Sequence, residues 1–245
     1  MASPIDIKKI TTVLFDLDGT LIRMDQDEFI RLYFTAILDK LTSLGYDKAL
    51  MYQALEKAIF STKRNNGEMT NEARFWQVFN ECVGGEIPDL SKALDEFYSK
   101  EYSSVILGSC APYERAGEVL EAARRKGLRI VLATNPLFPA EATYKRIRLG
   151  GMSVDDFEYV TAYENSSFCK PSSSYFTELL EKLGLRADEC VMIGNDTRDD
   201  FCALALGIPV FVLTECLINR DGVDLSEHPH GGFDELIAYI NALNT

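Results

Sequence analysis

The 245-residue chain lacks any long apolar run, and no segment reaches the roughly 20 residues that a bilayer-spanning helix needs. Met1 to Lys9 has no apolar stretch of the kind that marks a secretory leader. Cysteine is sparse and scattered (Cys82, Cys110, Cys169, Cys190, Cys202, Cys216), with no CxxC pair. Without a leader, that spacing reads as reduced thiols rather than a disulfide framework, and the cytoplasm is the expected compartment. Basic residues are outnumbered, 25 Lys and Arg against 38 Asp and Glu, which leaves a formal charge of −13. With no dense Lys/Arg stripe to offset it, that field repels nucleic acid and anionic membrane, and neither is expected as a partner. Histidine occurs twice, and His228 and His230 read as members of a polar loop rather than a metal pair. There is no internal repeat and no low-complexity segment.

What is present begins with Val13 to Thr20, a bulky apolar run that stops abruptly at Asp16-Leu17-Asp18-Gly19-Thr20. A short run bounded by a Gly-Thr turn reads as a buried strand of a parallel sheet, here Ile10 to Asp16. Side chains alternate along a strand, so Asp16 and Asp18 point the same way at its carboxyl end, where open α/β sheets bind ligands. Two crowded like charges repel unless a cation or a proton holds them together. From Glu28 to Tyr102 the pattern turns helical, with Phe29, Leu32, Tyr33, Ala36 and Ile37 at helix spacing, and Phe75, Val78, Phe79 and Cys82 likewise.

After Pro112, helices and strands alternate. Helices are expected near Ala116–Lys126, Ala140–Leu149, Tyr175–Leu183, Asp200–Leu206 and Asp234–Leu243. Strands are expected near Arg129–Ala133, Phe157–Thr161, Cys190–Ile193 and Pro209–Leu213. The expected fold is α/β, a Rossmann-like parallel sheet core with an inserted helical cap domain. Residues 1–20 and 109–245 form the core in this reading, and 21–108 the cap. An insert that leaves the core just after the aspartate pair is positioned to cover it.

Three further groups fall at strand ends or helix starts: Thr134-Asn135-Pro136, Lys170-Pro171, and the acidic turn Gly194-Asn195-Asp196-Thr197-Arg198-Asp199-Asp200. DxDGT, Thr-Asn, Lys-Pro and GNDxxxD, in this order, resemble the four motifs of the haloacid dehalogenase superfamily. The resemblance covers nearly the whole chain, with the helical insert similar to a C1-type cap. It implies a Mg²⁺-dependent phosphatase acting on a small phosphorylated metabolite through an aspartyl-phosphate. Asp16 would be the nucleophile and Asp18 the general acid and base. Thr134 and Asn135 would hydrogen-bond phosphate oxygens, and Lys170 would set a positive charge against nucleophile and phosphate. Mg²⁺ would be held by Asp16, by Asp18 through its carbonyl and by Asp196, with Asp200 in the same set as nearby support. The acidic turn offers two i,i+4 pairs. Counting back from Gly207 favours Asn195/Asp199, whereas chemistry favours Asp196/Asp200 because Asn195 carries no charge. Asp199 stays a possible substitute.

Two other readings use the same residues: a phosphomutase of the β-phosphoglucomutase type, and a catalytically silent binding protein that keeps the fold. A dehalogenase fits less well, because Asp18 offers the acid/base group that phosphoryl chemistry needs. Ordinary roles are expected elsewhere. Cys169 reads as a packed thiol, Tyr33, Phe75 and Trp76 as helix-packing residues, and Arg31, Lys63 and Arg64 as solvated charges. The sequence is silent on oligomeric state.

Overall fold

A strand with no exposed side chain belongs in the middle of a sheet covered on both faces, and β1 (Thr12–Phe15) is such a strand. In the computed structural model, which describes residues 7–244, β1 runs parallel to β4 (Arg129–Leu132) on one side and β6 (Cys190–Gly194) on the other. The sheet has six strands, all parallel, extended by β5 (Tyr159–Val160) beyond β4 and by β7 (Val210–Leu213) and β8 (His230–Gly231) beyond β6. Period-two alternation divides the core. Val13, Phe15, Leu132 and Ile193 face one apolar layer, while Leu14, Val131, Met192 and Val212 face the other. Each such side chain removed from water contributes about 1.5–3 kcal/mol.

Helix α6 (Ala116–Arg125), α7 (Ala140–Leu149) and α9 (Phe233–Ala242) supply buried residues to the first layer, and α8 (Ser173–Leu183) to the second. The helix expected near Asp200–Leu206 is a 3-10 run, Phe201–Leu206. It is confined between the acidic turn and Gly207, whose φ of +80° ends it, so an α-helical ladder has no room to propagate.

Between β2 (Ile22–Met24) and β3 (Cys110–Pro112) come five helices among the described residues: α1 (Gln26–Ser43), α2 (Lys48–Lys63), α3 (Asn71–Val83), α4 (Leu90–Ser99) and α5 (Tyr102–Ser109). β2 and β3 pair antiparallel, so the helical segment leaves and re-enters on a two-stranded stalk beside the end of β1. Asp25, Asp47 and Thr70 cap α1, α2 and α3 by accepting backbone N–H bonds, each worth about 1 kcal/mol. The six cysteines are free. No helix among the described residues is long and apolar enough to cross a membrane.

Candidate active site

The chain must turn sharply at the end of β1, and Gly19 makes the turn with φ +89°. A Cβ there would lie 2.2 Å from Nδ2 of Asn195, so the DxDGT loop and the acidic turn approach each other in a way only glycine allows. Gly194 does the same for Asp200, whose Oδ2 would stand 2.0 Å from an added Cβ. The first contact brings the ends of β1 and β6 together, and the second folds the acidic turn back onto the end of β6.

Lys170 joins them. Its ammonium lies 3.2 Å from Asp16 Oδ1 and 2.7 Å from Asp200 Oδ1, and its side chain is 1% exposed. A buried ammonium is expensive unless carboxylates surround it, and here two do. Asp200 Oδ2 accepts the Asp196 N–H at 3.0 Å, so both of its oxygens are committed within the protein. The Thr20 hydroxyl stands 3.3 Å from Asp16 Oδ2 and 3.2 Å from Asn195 Oδ1, and its single proton serves one at a time. Burial pushes the Asp16 carboxyl up, to about 7, against the pull of Lys170 and with the repulsion of Asp200 and Asp18. Burial works against the Lys170 charge too, but Asp16 and Asp200 outweigh it and hold its pKa well above the usual lysine value.

Asp18 has a different partner. Its Oδ1 lies 3.0 Å from Nε of Arg146, off the line of the N–H, so the contact is one of charges rather than an aligned hydrogen bond. The Arg146 side chain is 1% exposed. It also donates through Nη1 to the Tyr102 hydroxyl at 2.5 Å and packs its guanidinium 5.1 Å from the centre of the Phe138 ring. Burial raises the Asp18 pKa while Arg146 opposes the shift. Sequence reasoning missed Arg146. The available signal was its position on the buried stripe of α7 with Ala142, Thr143 and Ile147, where a charged side chain needs a partner.

Thr134 is buried at the end of β4, and its carbonyl accepts hydroxyl bonds from Thr161 at 2.7 Å and Tyr175 at 3.0 Å, which holds the loop. Asn135 Nδ2 donates to Asp199 Oδ2 at 2.9 Å and to the Lys170 carbonyl at 3.3 Å, so that amide nitrogen is engaged by protein. Its Oδ1 is buried without a partner. Asp196 Oδ1 accepts the N–H groups of Arg198 at 2.8 Å and Asp199 at 3.1 Å. Burial raises Asp199, with Lys170 pulling the other way. Asp16, Asp18, Thr134, Asn135, Lys170, Asp196, Asp199 and Asp200 all line one cavity of about 1220 Å³. Lys63 and Arg64, solvated charges by default in the sequence reading, line it as well.

Residues 10–207 match the family model for haloacid dehalogenase-like hydrolases. The chain belongs to that family. This hydrolase is 29% identical to a ribulose-1,5-bisphosphate 5-phosphatase of Halopiger xanaduensis over 81% of its own length and 82% of the relative. It is 28% identical to a phosphoglycolate phosphatase of Rhodospirillum rubrum over 82% and 78%. Among solved structures, an HAD phosphatase from Thermococcus onnurineus superposes with a TM-score of 0.57 at 20% identity, covering 96% of this chain and 100% of that one. CbbY from Rhodobacter sphaeroides in complex with phosphate gives 0.57 at 18% identity, covering 93% and 99%. At these identities the two structures establish the fold.

The four aspartates expected to hold a metal are not drawn into one carboxylate cluster. Among the described residues no three His, Cys, Asp or Glu side chains of the hydrolase converge in a metal-holding group. Asp18 faces Arg146 and Asp200 faces Lys170. What remains is Asp16, Asp196 and main-chain oxygen. That set suits Mg²⁺, which takes oxygen donors, keeps several waters and is commonly bound by one or two carboxylates together with substrate phosphate. Asp196 Oδ2 accepts no hydrogen bond from the described residues and Asp16 sits at the same end of the sheet, so both have acceptor capacity left for a hard cation.

Proposed function

We propose that this hydrolase is a Mg²⁺-dependent phosphatase that cleaves small phosphorylated metabolites through an aspartyl-phosphate on Asp16. The observation that carries the reading is the separation of the two β1-end aspartates: Asp16 is held by Lys170, Asp18 by Arg146. Two carboxylates in different environments can take different roles in one reaction. The names of the relatives agree in type, including a glyceraldehyde 3-phosphate phosphatase of Methanothermobacter thermautotrophicus. Lys63, Arg64, Arg198 and Arg220 line the cavity, and none of them forms an ion pair among the described residues, which gives an acidic protein a local cationic approach for an anion.

In this reading Asp16 attacks phosphorus, and the ester P–O bond breaks as the leaving oxygen takes a proton from Asp18. Lys170 favours the ionised nucleophile. Asp18 then takes a proton from water, whose oxygen attacks phosphorus and releases Asp16 with inorganic phosphate. Burial favours the protonated form of Asp18 that the first half needs, and Arg146 favours the ionised form that the second half needs. Thr134 orients the phosphate, and Asn135 acts chiefly by bracing Asp199. Asp16, Asp196 and the Asp18 carbonyl would hold Mg²⁺, with Asp200 as support through Lys170 and the Asp196 N–H. The ion, when bound, neutralises charge on the transferring phosphoryl group. Residues 21–108 act as the cap and exclude bulk water from the core formed by 1–20 and 109–245.

The test is Asp16→Asn, assayed for phosphate release from a panel of phosphorylated acids, sugars and nucleotides with Mg²⁺. Release should be lost for every ester while circular dichroism is unchanged. Full activity of the variant would refute the assignment.

A further inference from the structure

The cavity does not end at the aspartates. It continues between α1, α2 and α3, where Phe34, Tyr52, Phe60 and Trp76 line it together with Phe138 and Tyr163 from the loops of the sheet. Tyr52 is 43% exposed and Phe60 57%, among the most exposed large apolar side chains of the chain, and both open into this space. Apolar rings left facing water beside a charged site mark a place for a ligand group. The wall is already used for stacking: the Arg64 guanidinium lies 4.5 Å from the centre of the Phe60 ring. Tyr33 and Tyr98 bond to each other through their hydroxyls at 2.8 Å, so their polar ends are satisfied within the wall. Size points the same way. A cavity of about 1220 Å³ exceeds what a two- or three-carbon phosphate can fill, since pockets for drug-sized ligands run roughly 300–1,000 Å³.

We infer that the substrate is a phosphomonoester whose alcohol carries a bulky planar aromatic group, bound along the rings of α1, α2 and α3 while its phosphate meets Asp16. This rests on the phosphatase reading and narrows it to a substrate class. Ring faces prefer flat partners, in offset stacks or edge-to-face, which favours an aromatic group over a saturated one of equal volume.

Three esters of primary alcohols test it with leaving-group chemistry held constant: ethyl phosphate, 2-(4-biphenylyl)ethyl phosphate and its fully saturated analogue. The biphenylyl ester should exceed both others in kcat/KM by about tenfold or more, mainly through KM. That ratio should shrink toward unity in Phe60→Ala and Tyr52→Ala, whose side chains are exposed enough for the fold to survive. Trp76 is the only tryptophan and lines the cavity, so its emission reads binding without turnover. In Asp16→Asn with Mg²⁺, the biphenylyl ester should change that emission saturably and ethyl phosphate should not. Turnover of all three esters at similar kcat/KM would overturn the inference and leave the phosphatase reading standing. Saturable emission change with no hydrolysis of any ester by the wild type would uphold the aromatic site and overturn the phosphatase reading. Neither hydrolysis nor an emission change would overturn both.

Discussion

Asp16 and Asp18 leave the same strand end two residues apart, yet one meets a lysine and the other an arginine. The difference matters because the Arg146 guanidinium is itself anchored, on the Tyr102 hydroxyl and the Phe138 ring, which fixes its charge beside Asp18. A lysine ammonium is a compact charge on a flexible stem without that planar, multi-donor head. Replacing Arg146 by lysine keeps the charge and loses the anchors that place it. Arg146→Lys should lower kcat by about tenfold while KM moves less than about twofold, the pattern of an interaction that acts through the transition state rather than through binding. Steady-state kinetics on one ester reads both constants. At this scale the sequence displayed Asp16, Lys170 and Asp196, because each sits in a motif whose order could be checked. Arg146 was hidden, since an isolated arginine on a helix reads as solvated until its neighbours at 142, 143 and 147 are known to be buried.

The helices and strands after Pro112 were legible one by one because burial imposes a period on them, whereas between Glu28 and Tyr102 only a general helical pattern was. Helix α7 falls on the bounds its pattern suggested, Ala140–Leu149. The three-residue strands β2 and β3 were not legible, because three residues define no period and their pairing joins positions some 90 residues apart in sequence. The contact between the helical segment and the sheet was equally hidden. At the start of α3, the Asn71 N–H donates to the Ser166 carbonyl at 2.7 Å and the Glu72 N–H to the Tyr163 carbonyl at 2.9 Å. The Asn71 side chain reaches the carbonyls of Pro136 and Phe168, both at 3.2 Å, and accepts from Asn65 at 2.9 Å. This buried amide ties α3 to two loops, the one after β4 that carries Thr134 and Asn135 and the one after β5 that carries Lys170. Asn71→Ala leaves buried carbonyls without donors and should destabilise the protein by about 1–3 kcal/mol. Urea unfolding followed by circular dichroism would show it, and an unchanged midpoint would mean that water replaces the amide at no loss.

For the molecule as a whole, the acid excess and the buried site make stability depend on protons and cations together. The Asp16 pKa is raised by burial to about 7 in the folded protein without a divalent ion. A carboxyl shifted upward holds a proton in the folded state that the unfolded chain has released above about pH 4, so stability falls as pH rises from about 4 through 7. In EDTA the thermal midpoint should therefore decline from pH 5 to pH 8, and Asp16→Asn should flatten that decline. Mg²⁺ reverses the preference by favouring the ionised carboxylate. At pH 7.5 a hundredfold excess over its dissociation constant should add about 2.7 kcal/mol to the wild type and much less to Asp16→Asn. A wild-type midpoint indifferent to pH and to Mg²⁺ would contradict the metal set drawn from Asp16 and Asp196.

The phosphorylated nucleophile can be caught directly. The wild-type hydrolase, mixed with a turned-over ester and Mg²⁺ and quenched in acid within the first turnover, should carry one phosphoryl group on the peptide containing Asp16. That group should be labile to hydroxylamine, as an acyl phosphate is, and absent from Asp16→Asn. Phosphate released at the full rate with no labelled peptide at any quench time would contradict the account.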